Sequence, residues 1–255
     1  MGEVRSSVGW GVTHLMLRAR PGEGGAEEAL QALEAFAARD PQQAIAFSVL
    51  GGRADVGLML LGPDLDAIDA LAKQVLSGPF EVVYSFVSLT ELSEYTSTED
   101  EERARLEAEG TDDVETALAA WRTRMEAYHD ARLHPRLPAR AMIAFYPMSK
   151  RRAEGANWYS LPFADRKRLM LGHARVGRRY AGRVLQLITG ATGLDDWEWG
   201  VTLLADDPAA VKEIVYEMRF DEVSARYGEF GPFFVGLVME PRAALERARL
   251  LSDGS

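Results

Sequence analysis

The sequence contains no cysteine. That excludes disulfides, thiolate catalysis, cysteine-ligated zinc and iron–sulfur clusters, and leaves His, Asp, Glu and Tyr as possible metal ligands. Histidine is itself scarce, four in 255 residues, so an imidazole-based metal centre has few candidates. Long apolar runs are missing too. No stretch approaches the roughly 20 residues of a membrane span, and the opening MGEVRSSVGW lacks the apolar core of a secretory signal; a cytoplasmic location is expected. Positive charge is in deficit, 29 Lys and Arg against 39 Asp and Glu for a net charge of −10. Cations stand together only in short runs such as Lys150, Arg151 and Arg152, whereas a nucleic-acid partner requires a cluster that displaces phosphate counterions. Nucleic acid is therefore not an expected partner.

What is present is an ordinary globular composition, 47% hydrophobic and 27% charged. Residues 9–18 read as a strand and 27–38 as a helix with Leu30, Leu33, Phe36 and Ala37 on one stripe. A hairpin at 45–61 turning on Gly51-Gly52, a helix from Pro63-Asp64 to about Val75 and a strand at 80–89 complete a βαββαβ unit. The order repeats as strand 141–148, helix 162–180, strands 184–188 and 197–204, helix 208–218 and strand 233–238. The expected fold is α+β, two duplicated ferredoxin-like halves facing one another in a dimeric α+β barrel. The halves span 1–97 and 132–255. Between them, 98–131 is an acidic linker, with nine carboxylates in 99–115, expected to be mostly helical or flexible and without chemistry.

Several residues in the second half can carry chemistry. On the helix RLMLGHARVGRRY (168–180), steps of three and four from His173 reach Leu169, Met170, Gly177 and Tyr180, so one imidazole stands on an apolar face. Gly172 and Gly177 weaken that helix by about 1 kcal/mol each against alanine, as expected where a broad, flat group approaches the backbone. The spacing alone leaves both a metal ligand and a buried core histidine open. In AMIAFYPMSK, alternation puts Met142, Ala144, Tyr146, Met148 and Lys150 on one face and Ile143 and Phe145 on the other; Pro147 suggests an edge or bulge. Tyr146 and Lys150 fit either a site or a rim tyrosine beside an extended lysine. Gln186 places an amide in an apolar wall. Arg219 and Ser224 offer donors for a ligand carboxylate, or a local ion pair with Asp221 or Glu222.

In order and spacing, FYPMSKRR (145–152), NWYSLP (157–162), RLMLGHARVGRRY, GLDDWEWGVTLLADDP (193–208) and IVYEMRFDEVSARYGEFGPFF (214–234) resemble the coproheme decarboxylase branch of the chlorite dismutase-like haem proteins. The likeness is strong over 132–237 and architectural over 9–92. It implies that the second half alone binds haem and that subunits form a homopentamer. His173 would be the iron ligand, Tyr146 the redox-active tyrosine passing through a tyrosyl radical, and Lys150 its neighbour at the reacting propionate. Arg132, Arg219 and Ser224 would hold propionates, with Met148, Trp158 and Gln186 lining the pocket, Gln186 on the distal side. The implied reaction consumes hydrogen peroxide and converts two propionates of iron coproporphyrin III (coproheme, substrate and cofactor at once) to vinyls, giving haem b in haem biosynthesis. A ferrochelatase is a possible transient partner. The alternatives are chlorite dismutation, in which relatives carry an arginine at the position of Gln186, and a non-catalytic haem carrier or sensor. Gln186 cannot deprotonate peroxide, which leaves His129 or solvent as the base.

Overall fold

The computed structural model describes residues 3–252. Strands β1 (Gly11–Ala19), β2 (Gln43–Val49), β3 (Val56–Gly62) and β4 (Phe80–Thr90) combine with helices α1 (Ala26–Ala37) and α2 (Leu65–Leu76) in the first unit. Two helices follow, α3 (Glu99–Ala108) and α4 (Val114–Leu133). The second unit contains β5 (Met142–Lys150), the short hairpin β6 (Arg152–Ala153) and β7 (Ala156–Asn157), α5 (Phe163–Arg178), β8 (Val184–Gly190), β9 (Trp199–Ala205) and α6 (Pro208–Met218). It ends with α7 (Glu222–Tyr227), β10 (Gly228–Phe230), β11 (Phe234–Met239) and α8 (Pro241–Arg247). No helix among the described residues is long and apolar enough to cross a membrane.

Each half runs fourth–first–third–second across its sheet, β4-β1-β3-β2 and β11-β5-β9-β8. All pairings are antiparallel, and β2 joins β11 while β4 joins β8, so the eight strands close into a barrel. The duplicated ferredoxin-like halves read from the sequence are thus both present. Their starts follow the local chemistry: Asp64 and Asp207 accept the Asp66 and Ala209 N–H groups at the N-termini of α2 and α6, and Pro208 occupies the first turn of α6.

Alternation along the strands sends Val12, Met16, Phe47, Met59, Phe86, Ile143 and Phe145 inward, and they fill the barrel. There is no lumen left for a ligand. Outside the first half, α1, α2 and α8 cover the sheet with Leu30, Leu33, Ile68, Leu71, Ala244 and Leu245. Outside the second half α6 packs on the strands, through Ala210, Val211 and Ile214 against Met142, Ala144 and Leu203. Helix α5 leans on α6 and α7 instead.

Two expectations are narrowed here. Of the edge or bulge expected at Pro147 the structure has the second: β5 is paired with β9 along Met142–Met148, opposite Gly200 at the proline. On its other side the partner switches from β11, ending at Phe234 opposite Phe145, to β10, with Phe230 opposite Met148. The gap falls beside Pro147, whose carbonyl accepts the Gly231 N–H at 2.9 Å. The acidic segment takes the helical form of the two expected, as a hairpin of α3 and α4. Thr98 and Glu101 form a reciprocal capping box on α3, Asp113 caps α4, and Lys167 of α5 pairs with Glu101.

Candidate functional site

The gap between α5 and the outer face of β5, β8 and β9 is a cavity of about 710 Å³, within the range of small-molecule and cofactor sites. His173, Tyr146, Lys150, Arg132, Met148, Trp158, Gln186, Arg219 and Ser224 all line it. Helix α5 contributes from one side, β5, β8 and β9 from the other, and the ends of α4 and α6–α7 from the flanks.

Helix α5 presents Met170, His173, Ala174 and Gly177 to the cavity. His173 Nδ1 donates to Asp221 Oδ2 at 2.9 Å, which fixes the ring and leaves Nε2 as the free nitrogen. Asp221 also caps α7 by accepting the Val223 N–H. Burial pushes this carboxyl up, but the hydrogen bond and charge of His173, with Ser224 and the Val223 N–H, hold it below the usual aspartate range. A carboxylate behind an imidazole is the common arrangement for a metal-ligating histidine.

On β5, period-two alternation delivers Tyr146, Met148 and Lys150 to the cavity while Phe145 points into the barrel. Tyr146 stacks on Phe233, ring centroids 4.3 Å apart, and its hydroxyl makes no hydrogen bond among the described residues. Burial pushes its phenol well above the ordinary range, against the opposing charge of Arg219. Lys150 is buried, with Nζ 4.9 Å from the centre of the Trp158 ring and no ion pair among the described residues. Burial brings its ammonium down to about 8, although Asp221 and Glu198 pull the other way. Arg132, in the last turn of α4, has a buried Nε without a partner among the described residues. Gln186 donates Nε2 to the Gly177 carbonyl at 3.1 Å. A Cβ at Gly177 would lie 3.2 Å from that amide nitrogen and 3.1 Å from Met218 Cε.

Some sequence readings need correction. Gly172 is exposed, and a Cβ there meets nothing within 4 Å; only Gly177 serves a close approach. Gly172→Ala is accordingly expected to stabilise the chain by up to about 1 kcal/mol, read as a higher urea midpoint with unchanged slope. Leu169 packs with Trp158, Val223 and Tyr227 beside the cavity instead of facing it. His129 is not in the lining; its helix neighbours Tyr128 and Arg132, four residues apart, occupy that face. Arg219 forms no ion pair with Asp221 or Glu222 among the described residues, since Asp221 is taken by His173.

Sequence reasoning missed Asp221 as the partner of His173, and missed Glu91, Tyr95, Tyr128, Trp199, Phe230 and Phe233 in the lining. Tyr128 belongs to the segment expected to carry no chemistry, and Glu91 and Tyr95 lie just after β4, at the end of the first half. Only the aromatic spacing FGPFF near the end of the chain carried a local signal.

Comparison with known proteins identifies the fold and the family. The sequence model of the chlorite dismutase family matches residues 24–239. Among solved structures, a haem-binding protein from Thermus thermophilus is 34% identical over 97% of this chain and 99% of its own, with a TM-score of 0.76. A mutant chlorite dismutase from Candidatus Nitrospira defluvii shares the fold at 14% identity, covering 96% and 97% of the two chains with a TM-score of 0.70. A putative chlorite dismutase superposes at 0.67 with 18% identity over 94% and 98%. The chain belongs to the chlorite dismutase-like family.

Proposed function

We propose that this protein binds iron coproporphyrin III in the α5–sheet cavity and, with hydrogen peroxide, converts two of its propionates to vinyl groups, yielding haem b. The observation that carries this reading is the placement of Tyr146 and Lys150 on one strand, facing the same cavity as an imidazole backed by Asp221.

The residues fit an iron macrocycle. His173 has a nitrogen free for iron, the walls are largely apolar, and Arg132 Nε is buried without a partner, as expected of a donor meant for a ligand. The similar Thermus thermophilus protein is described as haem-binding. The bound coproheme would supply the redox centre as well as the reacting side chains. Tyr146 keeps its proton at Oη throughout the neutral range, so it is a hydrogen-atom donor and, once oxidised, an acceptor of hydrogen from the propionate. Lys150, Arg132 and Arg219 supply cations for carboxylates, and Lys150 holds one beside the Tyr146 phenol. Gln186 presents an uncharged amide at the position of the relatives' arginine, which favours this reaction over retention of a chlorine oxyanion.

Adding coproheme and then peroxide, and following the pigment by mass, tests the reading. Two successive losses of the elements of formic acid are expected. An unchanged mass with tight binding would indicate a carrier. Asp221→Asn keeps an oxygen to cap α7 but takes the negative charge away from His173. It is expected to weaken coproheme binding by roughly 10- to 100-fold, measured by spectral titration, with little change in thermal stability.

A further inference from the structure

We propose that Glu91 is the base that takes the proton from hydrogen peroxide in this cavity. The assignment rests on the reading of the cavity as a coproheme site. It starts from the wall itself. The residues lining the cavity include two carboxyls, Glu91 and Glu94. Glu94 is exposed and lies 3.6 Å from the guanidinium of Arg166. The nitrogen of His173 not bonded to Asp221 is the one available to iron, Gln186 has no basic nitrogen, and His129 lies outside the lining.

Glu91 is held in place by its surroundings. It follows β4 directly, and its Oε1 accepts the Trp199 Nε1–H of β9 at 2.9 Å. Its Oε2 occupies the space over Gly190 of β8, where a Cβ would come within 2.1 Å. Positions 186, 188 and 190 share one face of β8, so the carboxyl stands on the sheet wall that carries Gln186 and Ile188, across from the α5 wall that carries His173. The groups facing it are Trp199 on β9, the Arg132 cation on α4 and the Glu94 carboxylate beyond β4. Burial raises this carboxyl above an ordinary glutamate against the Trp199 bond and the Arg132 charge, with Glu94 adding to the rise. A base closer to neutrality takes and returns a proton more readily.

The step is a proton transfer alone. One hydrogen peroxide becomes hydroperoxide anion, one carboxylate becomes the carboxylic acid, and no electron moves. A water suffices to bridge carboxylate and peroxide.

Two variants and two readouts test it. In the ligand-free chain, the indole N–H of Trp199, one of five tryptophans, should report the titration of Glu91 by NMR. Its midpoint should lie above the ordinary value of 4.5, and the titration should vanish in Glu91→Gln. With coproheme bound, Glu91→Gln should slow conversion by peroxide at neutral pH by about 10²-fold or more. Raising the pH, or replacing peroxide with a more acidic peracid, should restore most of the rate. Gly190→Ala displaces the flexible carboxyl without removing it and should show the same partly rescued loss. The assignment fails if wild-type chain converts coproheme and Glu91→Gln matches it within about threefold. It fails equally if the loss is the same with peracid as with peroxide, which marks a merely structural role. Wild-type protein that binds coproheme and never changes its mass would sink the decarboxylation reading, and this assignment with it.

Discussion

Tyr146→Phe is expected to bind coproheme with unchanged affinity and to lose conversion by a factor on the order of 10³ or more, the scale seen when a group acting only in the reacting complex is removed. The variant isolates one oxygen. Tyr146 is held by its ring, stacked on Phe233 at 4.3 Å and tilted against Phe230, and those contacts survive in phenylalanine. Its hydroxyl makes no hydrogen bond among the described residues, so folding stability should change by less than about 1 kcal/mol. Peroxide titration followed by product mass checks it. Haem b formed at the wild-type rate would remove Tyr146 from the chemistry while leaving the cavity as a binding site.

The second large effect lies in the barrel interior. His14 on β1 is fully buried, stacked on Phe145 at 4.0 Å, and shares a hydrogen bond of 2.9 Å with Thr202 Oγ1. Its Nδ1 has no partner among the described residues. Burial lowers its pKa from 6.5 to about 3. The unfolded chain therefore binds a proton below 6.5 that the folded chain refuses until about 3. Stability is complete above that window and falls as pH drops through it, at a slope approaching ~1 kcal/mol per pH unit from this residue alone. His14→Leu should be somewhat less stable at pH 8, because Thr202 loses its partner, yet should show a flatter decline between pH 6.5 and 4. Urea unfolding at several pH values measures both; parallel curves for the two proteins would refute the assignment of acid lability to His14.

Much of this architecture could be read from the sequence because it depends on short periods. Alternation in AMIAFYPMSK separated Ile143 and Phe145 from Tyr146, Met148 and Lys150, and the structure divides them between barrel and cavity in the same way. Helical spacing likewise brought His173 and Gly177 onto one face of α5. What escaped depends on distance along the chain. The bond between His173 and Asp221 spans 48 positions, and Glu91 meets Trp199 across 108; no local pattern encodes either meeting. Gly172 was misread because a helical glycine has the same appearance whether it makes room for a neighbour or faces solvent. At Pro147 the sequence left an edge and a bulge open, because either accommodates the lost donor; in the structure it falls in a central strand where the partner changes from β11 to β10 with a one-residue slip.

The unequal dressing of the two halves has a consequence for stoichiometry. With the interior already filled by side chains, a guest can lodge only on an outer face. On the first half α8 lies beside α1 and seals the corresponding ground with Ala244 and Leu245. Under the function proposed above, the expected stoichiometry is one guest per polypeptide, with the closed repeat acting as a buttress that sets the position of the open one.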